Sequence, residues 1–284
     1  MPDMLPPFCD VITCGDLIPV LRQRYGINLT EQEKCFIQDL EVEFLNLIMS
    51  IAYDSSKVKL LDQDFFCCCL KNISPEDTII LSIDDLYIDK FYPPFYQFSY
   101  NRVFESKTLQ HKRLTRRVCE MDGSREVYEF EIFFLVNENL RSQEVCIFDD
   151  GIFSGGTIYN VVERLIKVNV QVNKVYTIIG KMKAVLNLQQ KFGVKIPIII
   201  LGCYYTGGWD HCRDLIGLHG LKIGTRGYVP YWNIPHWISL TQFKSDELAF
   251  ICKKFFGRIE EFLASNKGIV FKRIGIHLIP EKMS

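Results

Sequence analysis

Apolar and polar positions alternate along this chain with two different periods. In NLTEQEKCFIQDLEVEFLNLIMSIAYD the apolar residues recur at helical spacing behind a Thr30-x-x-Glu33 capping box. That predicts a long helix from Glu31 to Ala52. After the turn-like NISPED, the short apolar run from Thr78 to Ile83 reads as a buried strand. KFYPPFYQFSYNRVFESK sets two prolines among aromatics, as a loop packed on a core before an extended piece would. Asp122-Gly123 is a hairpin signal, and REVYEFEIFFLV beyond it alternates and then turns continuously apolar, like a strand entering a sheet. From Val145 to Leu165, four apolar residues lead into Asp149-Asp150. The small-residue turn Ser154-Gly155-Gly156-Thr157 follows, and apolar residues then resume at helical spacing. A strand from Val175 to Ile179, a helix from Lys183 to Lys191 stopped at Gly193, and a strand from Ile196 to Leu201 come next. SDELAFICKKFFGRIEEFLAS is an amphipathic helix capped by Ser245. Strands alternating with helices predict βαβ units. The fold class expected is α/β, with a central, mostly parallel sheet, helices on both faces, and helical additions at both termini.

Composition changes this picture little. The 284 residues suffice for one large domain or a domain with an appendage, and 48% hydrophobic with 24% charged residues is a globular balance. A formal net charge of -1 gives no global field for nucleic acid or an anionic membrane, so nucleic acid is not expected as the primary partner and any polyanion site must be local. No apolar run reaches the ~18–20 residues that span a bilayer. The N-terminal MPDMLPPFCDVITCGD has acids and prolines in place of a basic and apolar leader. Eleven cysteines would suggest a disulfide framework in a secreted chain, but here they sit inside apolar runs such as DFFCCCLKNI, as small hydrophobes. A reducing, cytoplasmic setting is expected. Zinc ligation by Cys9 and Cys14, or by Cys203, His211 and Cys212, is the competing reading, although no CxxC pair exists.

The stretch from Val145 to Leu165 carries the chemistry. In a parallel sheet, ligands bind beyond the carboxyl ends of the strands, and Asp149 and Asp150 lie at such an end. The two glycines permit a tight turn and close backbone approach. The helix beginning near Thr157 presents free N–H groups and a positive dipole end to the same point, an anion site with the Ser154 and Thr157 hydroxyls as further donors. Two carboxylates beside a phosphate suit a sugar phosphate. The lysine of a mononucleotide P-loop is missing, as is the G-x-G-x-x-G spacing of a dinucleotide fold. The alternative is an ordinary strand-to-helix connection in which the aspartates cap the helix.

VCIFDDGIFSGGT resembles the phosphoribosyl diphosphate (PRPP) motif of the type I phosphoribosyltransferases, and the strand–helix–strand from Val175 to Leu201 sits where that family has one. The resemblance covers roughly Thr78 to Leu201. It implies a division into an N-terminal helical extension (1–75), an α/β core (76–240) and a C-terminal helix and tail packed on the core (241–284). It implies that Asp149 and Asp150 hold the ribose hydroxyls and act in catalysis. Ile152, Phe153, Ser154, Gly155, Gly156 and Thr157 would cradle the 5-phosphate. The reaction implied is transfer of phosphoribose from PRPP to a nucleobase or other acceptor, with pyrophosphate leaving and Mg²⁺ as cofactor. A second copy of the chain is a further candidate partner, and the acceptor is not identified.

The chain departs from the family pattern in places. TIILSI is followed by Asp84 and Asp85 where pyrophosphate should go; they are either Mg²⁺ ligands acting through pyrophosphate or solvated loop acids. Gly151 replaces a residue that is usually apolar. These departures leave a second expectation open, a catalytically inactive PRPP- or nucleotide-binding regulatory protein, for instance within a bacterial defence system. In KTLQHKRLTRR, Lys112 and Arg113, with Lys107, are candidates for a catalytic loop closing over pyrophosphate; a solvated basic hairpin and a nucleic-acid contact are the alternatives. In the Gly- and aromatic-rich stretch from 202 to 237, Tyr204, Tyr205 or Trp209 could stack on an acceptor and Asp210 with His211 could do acid–base work. Core aromatics and a structural histidine are the alternatives there.

Overall fold

The computed structural model describes residues 5–73, 79–83, 95–97, 99–104, 111–120, 123–127, 144–167, 169–223, 227–234, 240–274 and 277–282, with only the backbone path given between 95 and 127. The elements run β1 (Leu5–Phe8), β2 (Asp10–Thr13), α1 (Leu17–Tyr25), α2 (Glu31–Ser50), β3 (Val58–Leu61), α3 (Gln63–Leu70), β4 (Ile80–Ser82), β5 (Phe95–Gln97), β6 (Ser99–Phe104), β7 (His111–Glu120) and β8 (Gly123–Val127). They continue with β9 (Glu144–Ile152), α4 (Gly156–Lys167), β10 (Gln171–Lys181), α5 (Met182–Phe192), β11 (Ile198–Tyr205), β12 (Trp209–His211), α6 (Cys212–Ile216), β13 (Gly220–Ile223), β14 (Gly227–Pro230), α7 (Ser245–Lys267), β15 (Ile269–Ile274) and β16 (His277–Lys282).

Two compact units share the chain, and their segments interleave: 1–8, 64–101 and 114–206 make the first, and 9–63, 102–113 and 207–284 the second. The sequence suggests instead a linear division near 75 and 240. The interleaving has a local cause in the first unit, where β1 leaves the N-terminal segment to pair with β11 in the register Leu5↔Cys203.

The first unit is an α/β layer structure. Its six-stranded sheet has the order β1-β11-β10-β9-β4-β5, and every pairing in it is parallel. Central strands of such a sheet are buried on both faces, and β9 is apolar and buried at Val145, Cys146, Ile147 and Phe148 in succession. Val145 and Ile147 join the core under α4 and α5, with Ile158, Val161, Leu165, Val185 and Leu188. Cys146 and Phe148, one residue out of phase, project to the other face. On β11 a register shift precedes Cys203, and there the edge of Phe65 from α3 lies where a Gly202 side chain would be. Together these put helices on both sides of a parallel sheet.

The second unit has a three-stranded parallel sheet, β12-β2-β3, and a four-stranded antiparallel one, β13-β14-β16-β15. The helix α2 begins at the foreseen capping box: Thr30 Oγ1 accepts from the Glu33 N–H at 3.3 Å, and the Glu33 carboxylate accepts from the Thr30 N–H at 2.7 Å. It packs along α7 through Phe36 on Phe262 and Phe44 on Phe255, with ring centroids 5.0 and 5.2 Å apart. At the other helix the foreseen cap is displaced by one residue: Ser245 is the first helical residue and Lys244 the cap. Strands β7 and β8 pair antiparallel as far as Glu120↔Gly123, and Asp122 of the Asp122-Gly123 signal lies outside the described residues.

Candidate functional site

Strand β9 runs two residues beyond the acid pair and ends at Ile152. Its pairing with β10 is regular there, Asp149 opposite Thr177, Gly151 opposite Ile179 and Ile152 opposite Gly180. Asp149 is half-buried and Asp150 is 8% exposed. The end of the strand is tied down by the buried Tyr205, whose hydroxyl donates to the Ile152 carbonyl at 3.2 Å.

From Ile152 the chain turns through Phe153, Ser154 and Gly155 into α4. The two glycines differ in role. Gly155 has φ +79° and a Cβ built on it would stand 2.7 Å from Leu188 Cδ1, so both the backbone angle and the packing demand glycine. Gly156 has open space, with only Ser154 Oγ near a would-be Cβ at 3.6 Å. Gly155 O accepts the first helical bond, from Tyr159 N at 2.9 Å. Gly156 N donates to Ser154 Oγ at 3.4 Å. The first-turn amides of α4 have no intrahelical acceptors and face the turn, where the helix dipole is positive.

Two cations stand beside the turn that the residue pattern does not single out. Lys181, last residue of β10, holds its Nζ 4.8 Å from the centroid of the Phe153 ring. Lys191, on α5, holds its Nζ 4.4 Å from that of Tyr159. An open cavity of 420 Å³ extends from Ser154, Gly155 and Gly156 along Asn160 to Asn187 and Lys191. Lys181 could have been found from sequence by asking which residue ends the strand beside β9. Lys191 depends on how α5 packs, which the sequence does not state.

The other expected site residues fare differently. Lys112 and Arg113 lie on the first part of β7, within a strand, and their side chains are outside the described residues. Asp84 and Asp85 also lie outside them, as do Lys90 and Lys107. Tyr205 is fully buried and bonded to Ile152, so it has no face to offer an acceptor. Tyr204 packs half-buried against the core under α4 and α5, and burial raises its hydroxyl pKa. In the second unit, the Trp209 Nε1–H donates to Thr13 at 2.9 Å, and its ring lies 4.7 Å from that of the buried His211. His211 Nδ1 lies 3.3 Å from the buried Asp16 carboxylate, as a structural histidine would. Among the described residues no group of three His, Cys, Asp or Glu could hold a metal ion, and ten cysteines are free thiols. No helix among them is long and apolar enough to cross a membrane.

No family model matches the chain, and no curated protein matches it. It is similar to solved structures of adenine phosphoribosyltransferases. That from Trypanosoma brucei, in complex with AMP, pyrophosphate and ribose-5-phosphate, is 15% identical with a TM-score of 0.31, over 50% of this chain and 62% of that one. That from Leishmania donovani is 14% identical with a TM-score of 0.29, over the same shares of both chains, 50% and 62%. That from Thermoanaerobacter pseudethanolicus is 16% identical with a TM-score of 0.27, over 48% and 76%. The matched part thus spans about three fifths of the first of these chains, 62%. Superpositions with TM-scores this low carry no weight of their own, and the α/β assignment rests on the parallel sheet and its flanking helices.

Proposed function

We propose that the first unit binds PRPP and transfers its phosphoribosyl group to a nucleobase or other acceptor. One observation carries this reading: Gly155, where a side chain would be both strained and crowded, takes the chain from an acid-tipped parallel strand straight into the N-terminus of α4. Ile152 to Thr157 cradle the 5-phosphate with backbone amides and the Ser154 and Thr157 hydroxyls. Lys181 and Lys191 add positive charge on either side of the turn. Asp149 and Asp150 orient the ribose and stabilise the positive charge that grows on the ring as pyrophosphate departs. Mg²⁺ accompanies the pyrophosphate as a hard cation on oxygen ligands. Lys112 and Arg113 are the proposed cations of the closing segment, and the setting proposed is the cytoplasm.

The second reading is a PRPP-binding regulator without turnover, and the sequence favours it by placing Asp84 and Asp85 after TIILSI, where pyrophosphate should go. Steady-state pyrophosphate release with a panel of bases separates the two readings. Release that requires PRPP and falls in Asp149→Asn or Asp150→Asn supports transfer. Binding of PRPP without release with any base supports the regulator. Absence of any thermal shift with millimolar PRPP and Mg²⁺, in folded protein, overturns both.

A further inference from the structure

The second unit contains a cavity unrelated to the glycine turn. It has a volume of 270 Å³ and lies between α7, the β13–β16 sheet and the segment after β14. Its floor is apolar, made by the buried Phe256 and Leu278 with Pro230 beside them. One wall is Trp232, whose ring centroid lies 5.3 Å from that of Phe256 at an interplanar angle of 59°. That indole fills the space a side chain would take at Gly217, where a built Cβ would come 1.9 Å from Trp232 Cη2. The aromatic wall is thus packed on two sides, against Phe256 and over Gly217.

The polar groups of this cavity are donors. Lys253 and Arg273 supply two positive charges, Asn233 supplies an amide, and among the described residues no carboxylate belongs to the lining. Arg273 is held in place by two hydrogen bonds to Glu260, from Nη1 at 2.8 Å and from Nη2. Of the five N–H donors on a guanidinium, three remain for other acceptors. Lys253 is exposed and has no carboxylate within ion-pair distance among the described residues. An indole over an apolar floor selects a flat ring, and Lys253, beside an Arg273 whose charge is already paired with Glu260, selects a single negative charge.

We propose that this cavity is a binding site for a small aromatic anion, a ring system carrying one carboxylate or phosphate group. The ring lies against Trp232 and Phe256, and the anionic group meets Lys253 and the free side of Arg273. The site is independent of the PRPP reading, since every residue in it belongs to the second unit.

The test uses the full chain and calorimetric titration with naphthoate, its neutral amide and inorganic phosphate. Naphthoate is expected to bind saturably, the amide about tenfold more weakly for want of one charge-assisted contact, and inorganic phosphate more weakly still for want of a ring. Lys253→Glu, at an exposed position, should bring acid and amide to equal affinity without altering the melting temperature. Trp232→Phe should weaken both probes together. The variant with Asn at 149 and 150 should bind naphthoate like the parent. Equal binding of acid and amide by the parent, an unchanged naphthoate affinity in Lys253→Glu, or no saturable binding to folded protein would each overturn the proposal. Loss of naphthoate binding in the Asn variant would move the probe to the glycine turn and overturn it as well.

Discussion

Substituting alanine at Gly155 and at Gly156 should give opposite results, although the two glycines are adjacent and identical in sequence. At Gly155 the backbone sits at φ +79°, where a side chain costs about 1–2 kcal/mol. The new methyl also lands 2.7 Å from Leu188 Cγ and Cδ1. Leu188 is 3% exposed in the core under α4 and α5, so it cannot swing into solvent, and overpacking of that kind costs about 1–3 kcal/mol more. Together the loss is about 2–5 kcal/mol, a drop of roughly 4–20 °C at ~2–4 °C per kcal/mol. The two parts are separable. In a Leu188→Ala background the obstacle is gone, and Gly155→Ala should cost only the ~1–2 kcal/mol backbone part. Gly156 has neither constraint, so Gly156→Ala should melt within about 1 kcal/mol of the parent. Gly156→Val should fold too, but its branched side chain stands over the first-turn amides where the phosphate is proposed to sit. Thermal unfolding followed by circular dichroism, with and without PRPP and Mg²⁺, reads all four variants. A ligand at a hundred times its dissociation constant adds about 2.7 kcal/mol, a shift the parent should show and Gly156→Val should lose. Gly155→Ala melting with the parent would refute the account of the turn. Gly156→Val keeping the full PRPP shift would place the phosphate elsewhere.

Three further outcomes are expected. The double change of Asp149 and Asp150 to Asn should lower turnover by roughly 10² or more, a barrier change of about 2.7 kcal/mol, with a smaller loss of PRPP affinity. The two single variants should differ in size because Asp149 is half-buried and Asp150 buried, and equal effects in turnover assays would contradict that difference. Tyr205→Phe removes the hydroxyl that donates to the Ile152 carbonyl and should cost about 1–3 kcal/mol in denaturant unfolding. In the second unit, burial and the neighbouring Asp16 carboxylate push Glu41 up from 4.5 to about 7. Its charged form therefore opposes folding, so its contribution is full below pH 4.5, falls as pH rises to about 7, and is level above that. Glu41→Gln can still accept from the Gly15 N–H, now 2.7 Å from the carboxylate. That variant should be more stable than the parent at pH 8 and should lose this slope, as measured by unfolding across the pH range.

Elements written in local chemistry were legible in the sequence. The capping box at Thr30 and Glu33 needs only residues three apart, and it opens the helix α2 where expected. Gly193 ends α5, as a glycine with φ +64° can. Strand lengths were less legible. The run from Val175 to Ile179 reads as five residues, yet β10 spans Gln171–Lys181 because β9 and β11 pair with it on both sides. Polar Lys174 is drawn into the strand by its pairing with Cys146, and Asn173 is carried along at the register shift beside it, not by their own preference. The N-terminal strands were not legible at all. LPPF has the look of a loop, and it becomes β1 only through pairing with Cys203 and Tyr205. β2 likewise depends on β3 and β12, the latter contributed by Trp209–His211. Pairing across that much chain leaves no local mark.

The same division between local and distant causes decides what the motif could disclose. Ser154-Gly155-Gly156-Thr157 announces a turn into a helix, because glycine frequency and helix capping are local matters. Which glycine serves the fold is settled by Leu188 on α5, the following helix. Likewise, two adjacent aspartates after an apolar run read equally well as a loop pair aimed at one ligand and as the end of a strand. The pairing of Gly151 with Ile179 and Ile152 with Gly180 selects the strand. Should β9 release its last two pairs on binding, Asp149 and Asp150 would be freed from the sheet to follow the ribose. Tyr205 opposes that release through its bond to Ile152. Tyr205→Phe therefore distinguishes two roles for this strand end. If the paired strand is the binding form, the variant loses PRPP affinity along with stability. If release is required, affinity rises while stability falls, because the substitution has already weakened what PRPP must break.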